Sequence, residues 1–258
     1  MKTLWMTSLI RSEDTVKNLF SQMKTYGLDL KGHFWEDDLD KIAWVGARDD
    51  LIKPDVALWL ILASSEELGT PSLRYGLSLL AITVQAKKGI GFPIVILHTE
   101  GDPPASDTLP TPLKGVDFLS LSDASLGAKI VAKVHSPVKE IASEYRLDAY
   151  GNPQIGQWFE IGPLEEMWKG SMFGVSGGEI TFHGVGPKGS LPSHSTLNYP
   201  SQGLKLKMGE REYTAWAVKN EIDSGTSYFV QVKGFPESIV FSSFSTEEEA
   251  DVYVVTVK

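Results

Sequence analysis

The first half of the chain alternates short apolar runs with segments whose apolar residues recur every three or four positions. Asp55–Ala63 and Phe92–His98 are almost wholly apolar, which is typical of strands covered on both faces of a sheet. Between them, Pro71–Lys88 begins with a proline, carries apolar residues at helical spacing and is followed by Gly89, which predicts a helix. Repeated strand–helix units of this kind predict a parallel sheet with helices on both faces.

Weaker patterns predict the remaining elements of this half. Ser12, followed by two acidic residues, is predicted to cap a helix that Gly27 ends. Further strands are predicted at Lys2–Ile10, Leu28–Trp35 and Val116–Leu121, and further helices at Ile42–Leu51 and Ala124–His135. The segment Ser64–Thr70, which joins the strongest strand to the longest helix, is predicted to be a loop.

After Tyr150 the pattern changes to short alternating segments separated by glycine and proline. These predict seven strands, at Gln157–Ile161, Glu179–His183, Lys205–Lys207, Tyr213–Val218, Ser227–Lys233, Ser238–Phe244 and Val252–Val257. Thr246–Glu249 predicts one helical turn before the last strand. The sequence therefore predicts a doubly wound α/β domain at residues 1–137 and a mostly antiparallel barrel or sandwich at residues 145–258.

Composition narrows the classes of function. A length of 258 residues suits two domains, and a net charge of −9 disfavours binding to a nucleic-acid backbone. The absence of cysteine excludes disulfides, thiolate metal sites and a cysteine nucleophile. The amino-terminal apolar stretch is too short for a signal sequence, and no apolar run reaches the ~20 residues that span a bilayer. We therefore expect a soluble cytoplasmic protein that contacts neither membranes nor nucleic acids.

Residues from about 1 to 135 resemble the flavodoxin-like proteins that include TIR domains and nucleoside 2-deoxyribosyltransferases. The similar segments are Ser12–Asp14, Phe34–Asp40, Trp44, Asp55–Ala63 and the sequence GTPSLRYG at positions 69–76, followed by FPIVIL. In the transferase pattern Gly-Thr is followed by two residues, the catalytic glutamate, one residue and glycine. Gly69, Thr70 and Gly76 match this pattern, but Arg74 stands at the glutamate position, and there is one extra residue after Thr70.

This replacement changes the chemistry that the resemblance implies. The family's glutamate acts on a sugar carbon that develops positive charge, so it must be an ionised carboxylate. Arginine is permanently cationic and would repel that charge, whereas it can hold a phosphate or carboxylate through two hydrogen bonds. An alternative is that Arg74 is an exposed helix residue in an ion pair.

The leading hypothesis is a non-catalytic or degenerate TIR-like signalling or ligand-binding module joined to a β-rich interaction domain. The expected ligand is an anionic small molecule or nucleotide, bound by Arg74, by the amides that follow Ser64 and by the positive end of the helix that begins near Pro71. The other predicted site residues are Ser12, Trp35, Ser65, Gly69 and Thr70.

Two alternatives remain open. The chain is an N-glycosidase or a nucleoside deoxyribosyltransferase-type enzyme if Glu66 or Glu67 supplies the missing carboxylate. A third hypothesis places the function in the β-rich domain, which would bind a protein partner or a glycan through its aromatic side chains. Those aromatics are more typical of core and hairpin pairs: Trp158, Phe159, Trp168, Phe173, Tyr199, Tyr213, Trp216, Tyr228 and Phe229.

Other motifs predict no site. The acidic run at positions 36–40 lacks the spacing of a calcium loop and is interpreted as a solvated surface. The G-x-G-x-x-G match at positions 184–189 contains Pro187 and precedes no helix, so it is not a dinucleotide fingerprint. The spacing of Glu179, His183, His194 and Ser195 fits no metal or nucleophile pattern. No metal is predicted, and the sequence leaves the cofactor unknown.

Overall fold

The chain divides into two compact units in a computed structural model, which describes residues 1–100, 104–244 and 251–258. The α/β unit consists of Met1–Leu39, Ala43–Leu109 and Leu113–Ile141. The β unit consists of Asp40–Ile42, Pro110–Pro112 and Ala142–Lys258. Across the described ranges, no helix is both long enough and apolar enough to cross a bilayer.

The α/β unit is built on a sheet of five parallel strands in the order β2-β1-β3-β4-β5. This is the flavodoxin-like strand order, so the predicted fold is confirmed. Because β3 is the central strand, six consecutive residues at its carboxyl end are completely buried or nearly so. The strands are β1 (Lys2–Ser8), β2 (Leu28–Phe34), β3 (Val56–Ala63), β4 (Ile94–His98) and β5 (Asp117–Ser120).

Five α-helices are found among the described residues of this unit, and the cap residues set the ends of two of them. Ser12 accepts a hydrogen bond from the Thr15 amide at the start of α1, and Gly27, with a φ of 73°, follows its end. Pro71 begins α4 and Gly89, with a φ of 91°, ends it, so this helix is confirmed at its predicted bounds. The helices are α1 (Glu13–Thr25), α2 (Arg48–Leu51), α3 (Ser65–Gly69), α4 (Pro71–Lys88) and α5 (Leu126–His135).

Two local predictions in this unit were wrong. Ser64–Thr70 is not a loop, because Ser64 and Glu67 form a reciprocal capping box that stabilises the short helix α3. Ile42–Leu51 is not one helix either. It contains a 3-10 turn at Ala43–Ala47 that continues into the four residues of α2.

The β unit contains two antiparallel sheets, of five and four strands, as the predicted class requires. Their orders are β10-β11-β8-β13-β14 and β6-β7-β12-β9, and Phe159 and Phe173 pack between them with ring centroids 5.3 Å apart. The predicted turn at Thr246–Glu249 lies outside the described residues. The strands are β6 (Tyr145–Asn152), β7 (Gly156–Pro163), β8 (Ser171–Ser176), β9 (Glu179–Pro187), β10 (Ser201–Met208), β11 (Arg211–Val218), β12 (Thr226–Lys233), β13 (Ser238–Ser243) and β14 (Val252–Thr256).

A buried polar network connects the first strands of the β unit to the turn before β12. The Arg146 guanidinium donates hydrogen bonds to backbone oxygens of Pro163, Ser224 (3.0 Å) and Thr226 (2.6 Å), and to the Ser227 hydroxyl (3.1 Å). The Ser227 hydroxyl in turn donates to the buried carboxylate of Glu160 over 2.6 Å. Burial of these charges is therefore compensated by several charge-assisted hydrogen bonds.

Candidate functional site

The carboxyl edge of the parallel sheet positions most of the residues that the sequence singled out. In this strand order the connections change direction between β1 and β3, which is where flavodoxin-like sheets open a crevice for ligands. Ser12 follows β1 and Ser64 follows β3 at this edge. Trp35 directly follows β2, and its amide donates to the Ser8 carbonyl over 2.8 Å, so it is held against the end of β1.

The two predicted catalytic carboxylates have different environments. The Glu67 carboxylate accepts hydrogen bonds from the Ser64 amide (2.8 Å) and from the Ser64 hydroxyl, so its contacts serve the capping box of α3. Glu66 has an exposed side chain, as does Ser65. The enzymatic alternative thus depends on an exposed carboxylate or on one already engaged in a helix cap, and it stays a prediction.

The backbone donors that were expected to hold an anion are already engaged in part. The Glu66 amide donates to the Ser64 hydroxyl over 3.2 Å. At the start of α4, the Ser72 hydroxyl donates to the Asp37 carboxylate over 2.6 Å, which places a negative charge beside the positive end of this helix. An anion at this helix end would therefore compete with Asp37. Thr70 donates to the Glu66 carbonyl over 3.1 Å, and Gly69, the last residue of α3, is exposed.

Arg74 lies in the first turns of α4 and is half-buried. One terminal guanidinium nitrogen donates to the backbone oxygen of Thr108, which links α4 to the 3-10 turn at Ser106–Thr108. The Nε atom of Arg74 is buried and has no hydrogen-bond partner in the described part of the chain. No carboxylate of residues 1–100, 104–244 or 251–258 lies within ion-pair distance of Arg74. The ion pair that the sequence analysis offered as an alternative for this residue is therefore not formed among the described residues.

Two tryptophans pack against α4 around Gly76, the glycine of the transferase-like pattern. A Cβ atom at position 76 would lie 2.7 Å from Cζ2 of Trp35 and 3.4 Å from Cβ of Trp44, so the glycine allows both side chains to approach α4. Trp35 is 6% exposed and Trp44 is 1% exposed. Their indole N–H groups are buried without a hydrogen-bond partner among the described residues. Because residues 74 and 76 point about 200° apart around a helix, these tryptophans approach a face of α4 that is not that of Arg74.

An aromatic row leads from the sheet into this site. The Trp5 indole donates to Nδ1 of His33 over 3.2 Å, and the His33 ring lies 6.4 Å from the Trp35 ring. Burial lowers the pKa of His33 below its ordinary value, although the charge of Asp50 opposes this effect. His33 can accept the hydrogen bond from Trp5 only while its Nδ1 carries no proton, which also favours the neutral ring.

We predict that acid destabilises the α/β unit through His33. Because its pKa is lower in the folded state, its contribution to stability is complete above the unfolded pKa of about 6.5 and is lost as the pH falls below it. Urea unfolding at pH 7.5 and pH 5 measures this loss. The variant His33→Gln keeps an acceptor for Trp5 but does not titrate, so it is expected to show a smaller pH dependence. An equal dependence in both proteins would contradict the assignment.

The β unit brings together three residues that the sequence analysis had set aside. His183, His194 and Ser195 line one cleft, and Glu179 is not part of it. Most of the aromatics considered as a glycan platform are instead core residues: Phe159, Trp168, Phe173, Tyr213, Tyr228 and Phe229 are buried. Trp216 lines the cleft, Trp158 is half-buried and Tyr199 is 79% exposed. The described residues contain no group of three or more acidic or histidine side chains that could hold a metal ion.

Comparisons with known proteins identify no family for this chain. No protein-family model matches it, and no curated protein does. The resemblance to TIR domains and nucleoside 2-deoxyribosyltransferases therefore rests on the residues quoted above.

Proposed function

We propose that this chain is a non-catalytic, TIR-like ligand-binding protein whose α/β unit binds an anionic small molecule of the nucleotide class. The ligand would lie at the carboxyl edge of the parallel sheet, beside Arg74 in the first turns of α4. The observation that carries the proposal is the state of Arg74, whose charge is unbalanced and whose buried Nε is unpartnered within the described ranges. The sequence analysis also expects the β unit to bind a protein partner, and this expectation stays a prediction.

A bound anion would compensate two unfavourable features of Arg74, its unpaired charge and its unsatisfied Nε–H. A partly buried guanidinium without a counter-charge is unfavourable, and an unsatisfied buried donor costs about 1–3 kcal/mol. A phosphate or carboxylate bound beside Arg74 would balance the charge and accept its Nε–H.

The absence of catalysis follows from the same position. The resembled enzymes need an ionised carboxylate where Arg74 stands, and a fixed cation there would destabilise a transition state of oxocarbenium character. Glu67 is the nearest candidate in sequence, but its carboxylate stabilises the start of α3. We therefore expect recognition of the nucleotide without cleavage of its glycosidic bond.

Two assays test the proposal together. In the first, the purified chain is incubated with NAD and the release of nicotinamide is followed by chromatography. In the second, melting temperatures are recorded with ATP, NAD and inorganic phosphate, because a ligand that binds the folded state raises them. We expect no nicotinamide and a higher melting temperature with at least one of the three. Robust nicotinamide release, or no change in melting temperature with any of them, would overturn the proposal.

Variants of α4 locate the binding. Arg74→Gln keeps a side-chain donor for the Thr108 carbonyl but removes the charge, and it is expected to abolish the ligand-induced rise in melting temperature. Lys87→Ala removes a positive charge from the last turn of the same helix and is expected to keep the full rise. An equal response from both variants would show that binding does not involve Arg74.

A further inference from the structure

The strongest unexplained feature outside the α/β unit is the cleft in the β unit. It has a volume of about 280 Å³ and lies between β9 of one sheet and β10 and β11 of the other, beside the segment 192–197. His183 and Phe182 contribute from β9, Gln202 from β10 and Trp216 from β11. The cleft shares no lining residue with the site proposed around Arg74.

The segment that borders the cleft is fixed in place. The Ser195 hydroxyl accepts a hydrogen bond from the Val185 amide (2.6 Å) and donates one to the Val185 carbonyl (3.0 Å), so it binds the open edge of β9. Pro192 packs over two glycines of the same strand, since a Cβ at Gly186 would lie 2.7 Å from Cβ of Pro192 and one at Gly184 would lie 3.2 Å from its Cγ. The first two glycines of the G-x-G-x-x-G match, Gly184 and Gly186, therefore serve packing, and the Ser195 hydroxyl is engaged in structural hydrogen bonds.

His183 is the polar group that this arrangement orients. It is 4% exposed, its Nδ1 lies 2.7 Å from the Tyr228 hydroxyl, and its ring meets that of Trp216 edge to face at 4.8 Å. Burial lowers the pKa of His183, so the ring is neutral near pH 7. Since Nδ1 is engaged and Nε2 has no hydrogen bond to any described residue, Nε2 is the ring atom left for a ligand.

The residues that line the cleft indicate which class of ligand it could bind. Among the described residues that line the cleft there is no Asp, Glu, Lys or Arg, so neither an anion nor a cation finds a counter-charge there. The exposed ring of Phe182 and the partly exposed ring of Trp216 supply apolar surface, while Gln202 and His183 supply donors and acceptors. We propose that this cleft binds a neutral saccharide unit, whose apolar ring faces and hydroxyl edges match these two kinds of surface.

The test uses the full chain and a panel of neutral disaccharides: maltose, lactose, cellobiose and chitobiose. Saturation-transfer NMR is expected to detect binding of at least one of them. Trp216→Ala is expected to lower its affinity by about tenfold. Tyr199→Ala removes an exposed aromatic of the same unit that does not line the cleft, and it is expected to leave the affinity unchanged. Gln202→Ala, at an exposed position, is a second variant if Trp216→Ala does not fold.

Three results would overturn the proposal. One is the absence of binding to every disaccharide of the panel. Another is binding that neither Trp216→Ala nor Gln202→Ala weakens, because the saccharide would then lie elsewhere. The third is saturation transfer to adenosine but to none of the disaccharides, when Trp216→Ala abolishes that transfer, which would identify the cleft as a site for a planar base.

Discussion

Replacing Arg146 by methionine is expected to destabilise the β unit by about 3 kcal/mol. Methionine fills similar volume but leaves the carbonyl oxygens of Pro163, Ser224 and Thr226 without their donor. It also leaves the buried carboxylate of Glu160 without the nearby positive charge that the network provides. Urea unfolding followed by circular dichroism measures the loss.

Arg211→Met is the matched control for this prediction. Arg211 is exposed and donates one hydrogen bond, of 3.2 Å, to the Thr256 hydroxyl. Its replacement is therefore expected to leave the unfolding transition almost unchanged. Equal effects of the two substitutions would mean that the Arg146 network does not stabilise the unit.

Replacing Gly76 by valine is expected to cost about 1–3 kcal/mol in the α/β unit. The new Cβ would lie 2.7 Å from Cζ2 of Trp35, whose ring is buried and has little room to move away. Because Trp35 approaches a different face of α4 from that of Arg74, the folded variant should keep the rise in melting temperature caused by nucleotides. Unfolding followed by tryptophan fluorescence measures the first effect, and ligand-dependent melting the second.

Gly69→Val provides the comparison, because a Cβ at position 69 would meet no atom within 4 Å. It changes the other glycine of the transferase-like pattern, and we expect it to retain both stability and the response to nucleotides. Loss of the nucleotide response in Gly69→Val would place the ligand against α3 instead of Arg74.

The sequence predicted the α/β unit well because local signals and tertiary packing agree there. Pro71 and Gly89 determine both ends of α4, and the apolar run of β3 is typical of a buried strand. The signal for α3 was also present, in the capping-box pair Ser64 and Glu67. This signal alone does not predict a helix, because a five-residue segment is too short to show apolar periodicity.

Two strands of the β unit escaped prediction for physical reasons. β6 carries the charged residues Arg146 and Asp148 among its first four residues, so its pattern resembles a surface segment. Arg146 is compensated by backbone oxygens of residues such as Ser224 and Thr226, which are far along the chain. β8 contains Gly174, whose missing side chain lets Val240 and Ala215 approach from both neighbouring strands. Neither arrangement is visible without the partner strands.

The sequence indicated the residues of the candidate site but not their contacts. It placed Trp35, Ser64 and Arg74 in one region because they follow strands whose carboxyl ends share an edge. It did not reveal that Thr108, 34 positions away, accepts a hydrogen bond from Arg74, or that Asp37 contacts the start of α4. The cleft around His183 was missed because its lining comes from three strands and a loop.

The central claim is that an anion binds at Arg74. The most direct measurement is a ¹H–¹⁵N NMR titration that observes the arginine side-chain Nε–H signals while ATP, NAD or inorganic phosphate is added. The variant Arg74→Gln assigns the relevant signal by its loss. We predict that the Arg74 signal shifts with at least one of these ligands and that the Arg146 signal of the β unit does not. An Arg74 signal that stays fixed with all three ligands, or that moves no more than the Arg146 signal, would contradict the claim.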